Sequence, residues 1–272
     1  MNNVNQTLYI PLYGKSYVSR KGIILHDVKA EEIWAAEGFK LKGKSRSKWL
    51  AYYMGMRSAV FDRWLAETAR AIPNACILHI GCGMDSRVIR VGPLGRLWFD
   101  VDFPDVIAER KKYYQDSPRY RMVSSDIRTI RWSDILPKGE AVIVVMEGVS
   151  MYLRPEELKA VFRSFSSHFR QIHLLMDCYT DFSARASRYK NPINDVGVTQ
   201  VYGVDVPEVL EEGNGMRFVT EHEMTPDDLI HQLNGLEKTV FQKVFAGKMA
   251  KKMYRLYEFQ QLAGNDGLEV PG

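Results

Sequence analysis

Glycines and an aspartate at the ends of two apolar segments are the clearest chemical signal in this sequence. The apolar segment 75–80 leads directly into Gly81, Cys82 and Gly83, and a second apolar segment ends at Asp102. Glycines after a strand let a ligand approach the backbone closely, and a carboxylate after the next strand accepts hydrogen bonds from ribose hydroxyls. The spacing therefore predicts a pocket for a nucleotide or a nucleoside.

The residues that follow the glycines restrict which nucleotide could bind. Dinucleotide-binding enzymes place Gly or Ala three positions after the second glycine, where this sequence has Ser86. No Gly-Lys-Ser/Thr sequence follows the glycines, so the phosphate loop of nucleoside triphosphatases is absent from this turn. The pattern favours a nucleoside without phosphates, of which S-adenosylmethionine is the common one. A nicotinamide-dependent oxidoreductase stays open as the alternative, since the glycines and Asp102 would also suit a dinucleotide.

Further side chains near predicted strand ends could meet the other parts of such a ligand. Asp126 and Ile127, after the third strand, offer an acceptor and an apolar face to adenine. Glu147 ends the fourth strand near the amino-acid portion, and Arg57, in the apolar stripe of a helix, could meet a carboxylate. Because ligands of open parallel sheets bind at the carboxyl ends of the strands, these positions can converge.

Each of these residues also has a structural interpretation. Asp102 could cap the next helix, Asp126 could be a turn residue, and Arg57 could extend its charged end into solvent. Glu147 is harder to explain in this way, because an acid after six apolar strand residues seldom lacks a partner.

The order of the predicted elements indicates one domain, 1–272, with a Rossmann-like α/β fold. Short apolar strands alternate with helices through a core over 73–180, which is typical of a doubly wound, mostly parallel sheet. We expect strands over 75–80, 96–101, 120–124, 141–146 and 172–176, with helices that begin at Pro104 and Pro155.

The segments that flank this core are less regular. The region 1–72 is predicted as an irregular arm over 1–45, with one short helix near 29–36, and then a cap helix over 47–71. The region 181–272 is predicted to hold a lid or insertion over 181–222 and to close the sheet. Its predicted elements are a helix over 226–233, a strand over 239–244 and a basic helix over 248–262.

Composition and charge narrow the class of protein further. The 272 residues include 46% hydrophobic and 26% charged residues, which is ordinary for a globular protein. The net charge of +4 is spread along the chain, and the basic run over 40–48 is typical of a solvated loop, so we expect no nucleic-acid partner. The longest aliphatic run, 141–146, is far shorter than the roughly 20 residues that span a bilayer, so we expect no membrane partner.

Cysteine usage and the first residues suggest a compartment. The three cysteines lack metal-ligand spacing, so we expect no metal and a reducing environment. The amino-terminal residues lack a charged-then-apolar signal pattern, and we therefore expect a cytoplasmic protein.

Four segments in a fixed order resemble the leucine carboxyl methyltransferase family, and within it the bacterial polyketide-tailoring O-methyltransferases. They are Met56-Arg57-Ser58 with Phe61-Asp62, Ile80 to Arg87, Asp100 to Val106, and Glu147 to Leu153. The resemblance covers about residues 5–180, and the segment 147–153 is its most specific part. It implies a class I methyltransferase fold with a seven-stranded sheet and S-adenosylmethionine as the cofactor.

The resemblance also implies a role for individual positions. Arg57 would meet the methionyl carboxylate, Asp102 the ribose, and Glu147 would lie near the methionyl amino group. Ser86 stands where the family usually has threonine, a change that keeps the hydroxyl. The implied cofactor-binding set is Lys15, Arg57, Gly81, Cys82, Gly83, Asp85, Asp102, Asp126, Ile127 and Glu147.

The expected methyl acceptor is an oxygen of a small molecule. A carboxylate is ionised at neutral pH and needs no base, whereas a phenol with a pKa of about 10 would gain from one. The four segments offer no candidate base apart from Tyr152, and His79 and His173 lie within predicted strands, where a structural role is more common. These features favour methyl ester formation, with Tyr152 and Tyr179 as predicted acceptor contacts.

Three other functions stay open on the sequence. A phenol or hydroxyl O-methyltransferase of secondary metabolism and a methyltransferase acting on a protein carboxyl terminus would use the same cofactor pocket. A module that binds S-adenosylmethionine without catalysis would also use it. The oligomeric state is open as well.

Overall fold

A seven-stranded sheet with the strand order β3-β2-β1-β4-β5-β7-β6 forms the centre of the protein. A computed structural model describes residues 8–38, 41, 43–187 and 200–262. The strands are β1 (Cys76–Ile80), β2 (Trp98–Asp102), β3 (Tyr120–Ser124), β4 (Ala141–Met146), β5 (Gln171–Tyr179), β6 (Arg217–His222) and β7 (Tyr254–Gln261). Strands β1 to β5 are parallel, and β7 is antiparallel to both of its neighbours. The predicted Rossmann-like, seven-stranded α/β fold is confirmed.

Helices precede the sheet, connect its parallel strands and join its last elements. They are α1 (Tyr9–Arg20), α2 (Val28–Glu37), α3 (Lys48–Ala71), α4 (Arg87–Arg90), α5 (Pro104–Arg110), α6 (Pro155–His168), α7 (Asp181–Ala186), α8 (Asp227–Ile230), α9 (Gly235–Val244) and α10 (Lys248–Met253). Pro104 and Pro155 occupy first-turn positions of α5 and α6, as expected, because an N–H group there would have no intrahelical partner.

The two faces of the sheet are buried by different helices. Successive strand side chains point to opposite faces, so alternate residues of one strand enter different hydrophobic clusters. On one face, Ile143 belongs to the same cluster as Trp64 and Leu65 of α3. On the other face, Val144 belongs to the same cluster as Phe162 of α6. Burial on both sides explains why these strands are continuously apolar.

Helix α3 carries a functional candidate into the interior because it is both long and amphipathic. It extends over 24 residues, begins within one residue of the predicted boundary and ends before Pro73. Its buried face includes Arg57, which is only 3% exposed. The alternative in which Arg57 extends into solvent is therefore wrong.

The predicted irregular arm is wrong over the residues that form α1. Three polar residues, Lys15, Ser16 and Ser19, lie on the buried face of this helix, so an apolar stripe of helical period is interrupted there. Their burial depends on tertiary partners that a sequence pattern does not reveal.

Two elements near the carboxyl end also differ from expectation. Residues 239–244, predicted as a strand, belong to helix α9. Phe241 of this helix packs on Tyr52, with ring centroids 6.2 Å apart, and the C-cap residue Phe245 packs on Trp49, with ring centroids 5.3 Å apart. The β-branched residues that suggested a strand lie largely on the exposed face of this helix.

The predicted basic helix over 248–262 ends at Met253, and the chain continues directly as β7. No glycine or proline marks this change in the sequence. The last part of the segment expected as a lid, 217–222, forms β6 in the sheet, while 188–199 lie outside the described residues.

Two features of the described ranges concern membranes and metals. Within those ranges, no helix has the length and apolar character that crossing a membrane requires. In the same ranges, no cluster of three or more His, Cys, Asp or Glu side chains could hold a metal ion. All three cysteines are buried and free.

The turn after β1 generates a prediction about stability. Gly81 has a φ of +65°, and an added Cβ would lie 2.2 Å from Cγ2 of Val149. Gly92 has a φ of +77° with nothing within 4 Å of an added Cβ. We expect Gly92→Ala to cost about 1–2 kcal/mol of unfolding free energy from backbone strain alone. Gly81→Ala should cost about 1–3 kcal/mol more, because Val149 must move.

Urea unfolding of both variants measures this difference. Adding Val149→Ala to Gly81→Ala should recover part of the additional loss. Equal destabilisation by the two glycine variants would contradict the close packing of Val149 on the turn.

Candidate functional site

Two adjoining cavities lie at the edge of the sheet where β1, β2 and β4 end. The larger one, which we call the β2 cavity, has a volume of about 640 Å³, within the range of small-molecule sites. The smaller one, which we call the α3 cavity, has a volume of about 120 Å³. Leu8, Gly81, Gly148 and Tyr152 line both of them.

Every site residue expected from the sequence lines one of these cavities. Those at the β2 cavity are Gly81, Asp102, Asp126, Ile127 and Tyr152. Those at the α3 cavity are Lys15, Arg57, Gly81, Cys82, Gly83, Asp85, Glu147, Tyr152 and Tyr179. Parallel strands bring their carboxyl ends to one edge of the sheet, where ligands of such sheets bind. Helices α1 and α3 bring Lys15 and Arg57 to the same edge.

Asp102 sits at the end of β2 with its carboxylate held by two backbone groups. Gly83 N–H donates to Oδ2 and Phe103 N–H donates to Oδ1, each at 2.8 Å. A carboxylate has further lone pairs, so both oxygens can still accept hydrogen bonds from a ligand. Burial raises the pKa of Asp102 to about 6. Asp102 does not cap α5, whose N-cap residue is Phe103.

Asp126 combines a turn role with a place at the cavity wall. Its Oδ1 accepts from the backbone N–H of Arg128 at 2.9 Å, and the Arg128 guanidinium also donates to both carboxylate oxygens. The hydrogen bond from the Arg128 side chain lowers the pKa of Asp126. The turn interpretation of Asp126 is therefore correct, and its position beside Ile127 at the β2 cavity is also as expected.

Glu147 is enclosed by two arginines. Arg57 Nε donates to its Oε1 at 3.0 Å, Ser58 Oγ donates to its Oε2 at 3.2 Å, and Arg87 Nη2 also donates to Oε2. Burial alone would raise the pKa of Glu147, but the two guanidinium groups lower it to about 2. The expected partner of this buried acid is thus a pair of cations from α3 and α4.

Asp177 at the end of β5 completes this arrangement. Its Oδ2 accepts from Arg57 Nη1 at 2.7 Å, and its Oδ1 accepts from the backbone N–H of Gly148 at 2.6 Å. Asp177 is fully buried. We call Arg57, Arg87, Glu147 and Asp177 the ion cluster.

Lys15 joins the turn after β1 through a second buried contact. Its Nζ lies 3.0 Å from Oδ2 of Asp85, which also pairs with Arg87 and Arg90. Burial would raise the pKa of Asp85, but these cations outweigh it and hold the pKa well below its usual range. Asp85 therefore stays ionised and ties α1 to the wall of the α3 cavity.

His79 borders the α3 cavity, but it cannot serve as a base. Because Arg87 Nη1 can only donate, His79 Nε2 accepts from it at 3.1 Å, and Nδ1–H donates to Asp100 at 3.2 Å. Burial lowers the pKa of His79. The ring is neutral, both of its nitrogens are occupied, and its role is structural, as expected for a strand histidine.

Tyr179 and Tyr254 line the α3 cavity, and Tyr53 packs behind them. Tyr179 and Tyr254 are paired residues of β5 and β7, and their ring centroids are 4.6 Å apart. The Tyr53 ring lies 5.7 Å from that of Tyr254. Burial raises the pKa of Tyr53 and of Tyr254 well above the usual value. Both hydroxyls therefore stay protonated at neutral pH.

Sequence reasoning missed Arg87, Asp177 and Tyr254. Asp177 had a usable signal, since it follows the apolar run of β5 just as Glu147 follows that of β4. Arg87 ends the segment Ile80 to Arg87, which carries part of the family resemblance. Nothing in the sequence pattern indicates that the Arg87 side chain is fully buried. Tyr254 begins the strand that was predicted as a helix, so its pairing with Tyr179 could not be expected.

Comparison with solved structures assigns the class of the fold. The chain superposes on the magnesium protoporphyrin IX methyltransferase ChlM of Synechocystis PCC 6803, solved with bound S-adenosylhomocysteine, with a TM-score of 0.52. The match covers 85% of this chain and 93% of that one, at 12% identity, and so shows a shared fold alone. The fold is that of a class I, S-adenosylmethionine-dependent methyltransferase.

Sequence comparison then identifies the family. Residues 6–166 match the leucine carboxyl methyltransferase family, and the chain belongs to that family. It is 27% identical to the tetracenomycin polyketide synthesis O-methyltransferase TcmP of Streptomyces glaucescens, over 88% of this chain and 90% of that protein. It is 29% identical to the S-adenosyl-L-methionine-dependent methyltransferase dpfgK of Gibberella zeae, over 62% of this chain and 61% of that protein.

These similarities confirm three expectations from the sequence. The protein belongs to the leucine carboxyl methyltransferase family, it is a methyltransferase, and its cofactor is S-adenosylmethionine. An oxidoreductase that uses a nicotinamide dinucleotide is excluded by the same findings.

The raised pKa of Asp102 generates a prediction about cofactor binding. We expect the affinity for S-adenosylhomocysteine to fall as the pH is lowered through about 6, by up to tenfold per pH unit. The sign follows because, at the expected ribose contact, hydroxyls would donate to the ionised carboxylate, so binding would favour loss of the proton. At pH 7.5, Asp102→Ala should weaken binding by about 1–3 kcal/mol.

Calorimetry between pH 8 and pH 5 measures this dependence. Asp102→Asn is the control, since it keeps the shape but has no proton to lose, and it corrects for titration of the ligand itself. Identical pH dependence in the wild type and in Asp102→Asn would remove Asp102 from the binding site.

Proposed function

We propose that the protein transfers the methyl group of S-adenosylmethionine to a carboxylate oxygen of a small molecule and forms a methyl ester. The observation that carries this proposal is the chemistry of the α3 cavity. Among the described residues that line it, His79 has both nitrogens engaged and Tyr254 is held neutral, so neither offers a base. A carboxylate acceptor is already ionised and requires none.

The residues at the two cavities fit the parts of the cofactor. Asp102 offers two oxygens to a ribose diol, and Ile127 offers an apolar surface beside it in the β2 cavity. In the α3 cavity, Arg57 offers a cation to the methionyl carboxylate, and Glu147 offers an anion to the methionyl amino group. Lys15 lines the same cavity and adds a cation near the cofactor. Gly81 and Gly148 line both cavities and carry no side chains, which favours a ligand that extends from one cavity into the other.

The cofactor supplies a methyl group activated by a sulfonium, so the transfer is a direct displacement. The chain then has to orient the acceptor oxygen and exclude water. Leu50, Met54 and Met151 give the α3 cavity an apolar wall that excludes water. The tyrosines Tyr152, Tyr179 and Tyr254 line the same cavity and would donate hydrogen bonds to an anionic acceptor.

Two further features support a small acceptor held in this cavity. The relative TcmP is named as an O-methyltransferase of polyketide synthesis, which agrees with an oxygen acceptor on a small molecule. Helices α1 and α3 lie within the region 1–72, and both line the α3 cavity. We infer that 1–72 acts as a cap over the core 73–180, with 181–272 closing the sheet.

Matched acceptors test the carboxylate proposal. We expect release of S-adenosylhomocysteine with an aromatic acid, and not with the phenol in which a hydroxyl replaces the carboxylate. A small-molecule cell extract supplies candidate acceptors where simple acids are too small. A methyl ester product is hydrolysed by mild alkali and an aryl methyl ether is not, so alkali treatment identifies the bond formed.

The pH dependence separates the same alternatives. At saturating cofactor and acceptor, turnover of a carboxylate should be nearly constant between pH 6.5 and 8.5. Turnover of a phenol without a base would rise about tenfold per pH unit below its pKa. Alkali-stable product with such a rise would replace the proposal by phenol methylation.

The tyrosine hydroxyls generate a separate prediction. Tyr254→Phe removes one donor, so the KM for the acceptor should rise by about 2- to 12-fold, the value of one hydrogen bond of about 0.5–1.5 kcal/mol. The KM for S-adenosylmethionine should stay within about twofold. An unchanged KM for the acceptor would show that Tyr254 serves packing alone.

A further inference from the structure

We propose that Asp177 is the positioning residue that aims Arg57 at the amino-acid portion of the cofactor. This inference rests on the proposed contact between Arg57 and the methionyl carboxylate. Asp177 itself is not among the described residues that line either cavity. Any effect on the ligand must therefore pass through the groups that Asp177 holds.

The hydrogen bonds of Arg57 leave one nitrogen for a ligand. Nε donates to Glu147 and Nη1 donates to Asp177, at 3.0 and 2.7 Å. Among the described residues these are its hydrogen-bond acceptors, so Nη2 is the nitrogen left for a ligand. Nη2 also lies close to the turn after β4, because a Cβ added at Gly148 would lie 3.6 Å from it. Two anions, one directly after β4 and one within β5, thus fix the plane of the guanidinium.

Both carboxylate oxygens of Asp177 are used within the protein. While Oδ2 accepts from Arg57, Oδ1 accepts from the N–H of Gly148, and its backbone carbonyl accepts from the Ser150 hydroxyl. Asp177 therefore links the end of β5 to the turn after β4 and to the guanidinium at the same time. Gly148 has a φ of +74° and lines both cavities. The hydrogen bond from Gly148 to Asp177 therefore also fixes a part of the cavity wall.

Glu147 cannot replace Asp177 in this function. Its Oε2 already accepts from Arg87 and Ser58, and only its Oε1 contacts Arg57. Without the charge of Asp177, a single hydrogen bond at Nε would hold Arg57, and the guanidinium could rotate about that bond. The loss should concern the ligand's amino-acid carboxylate and leave the adenosine portion unaffected.

Two ligands that differ in the amino-acid portion test this inference. S-adenosylhomocysteine carries the carboxylate, whereas 5′-methylthioadenosine keeps the adenosine and the thioether and lacks it. In Asp177→Asn we expect the affinity for S-adenosylhomocysteine to fall about 5- to 50-fold, while that for 5′-methylthioadenosine changes by less than about twofold. Asn keeps an acceptor for Gly148 N–H, so the turn is preserved.

Asp102→Ala is the matched control, because loss of the ribose contact should weaken both ligands equally. Equal weakening of both ligands by Asp177→Asn would show a merely structural role and overturn the inference, as would no weakening of either. If the wild type binds neither ligand, that result contradicts the proposed cofactor site, on which the inference about Asp177 rests. Because no acceptor is present in this experiment, its result is independent of whether a methyl ester forms.

A second pair of variants keeps the inference testable if Asp177→Asn does not fold, since removing one partner of a buried ion pair is costly. The double variant of this pair removes one charge of each sign from the ion cluster. Arg57→Gln should lose the preference for S-adenosylhomocysteine over 5′-methylthioadenosine. Arg57→Gln/Asp177→Asn should show the same ratio of affinities as Arg57→Gln alone, because Asp177 then has no guanidinium to aim. A further fall in that ratio would show that Asp177 acts on the ligand by another route.

Discussion

The mutual neutralisation of buried charges is the constraint on which the site depends. Arg57, Arg87, Glu147 and Asp177 are almost fully excluded from solvent, and burying one such ion without partners would cost several kcal/mol. The four residues come from α3, α4 and the ends of β4 and β5, so their ion pairs are satisfied only when these elements meet in one arrangement. The ion cluster therefore fixes the geometry of the strand ends before any ligand arrives.

That geometry suits a reaction that needs orientation more than acid–base chemistry. Among the residues that the structure describes, the hydrogen bonds of the ion cluster leave one guanidinium nitrogen of Arg57 for a ligand, and His79 has both of its nitrogens engaged. Preorganised polar groups in a cavity with little water lower a barrier without having to rearrange during the reaction. A methyl acceptor that is already anionic matches such a site, because hydrogen-bond donors suffice to hold it.

Local patterns in the sequence predict the five parallel strands and the cavity-lining residues well. Continuous apolar strands, helix-initiating prolines and strand-end acids such as Glu147 act within a few residues, and the structure places them as expected. The failures all involve partners that are distant in the sequence. Helix α1 buries Lys15 because Asp85 neutralises it, and Tyr254 begins a strand because β5 offers an edge on which it can pair. No periodicity within either segment carries that information.

A crystal structure of the protein with S-adenosylhomocysteine tests the central claim most directly. Both ribose hydroxyls should lie about 3 Å from the Asp102 carboxylate, and the ligand's carboxylate should lie at the same distance from Arg57 Nη2, with the ion cluster unchanged. A ligand that binds outside the β2 and α3 cavities, or one that binds only after Arg57 leaves Asp177 and Glu147, would contradict a site preformed by buried ion pairs.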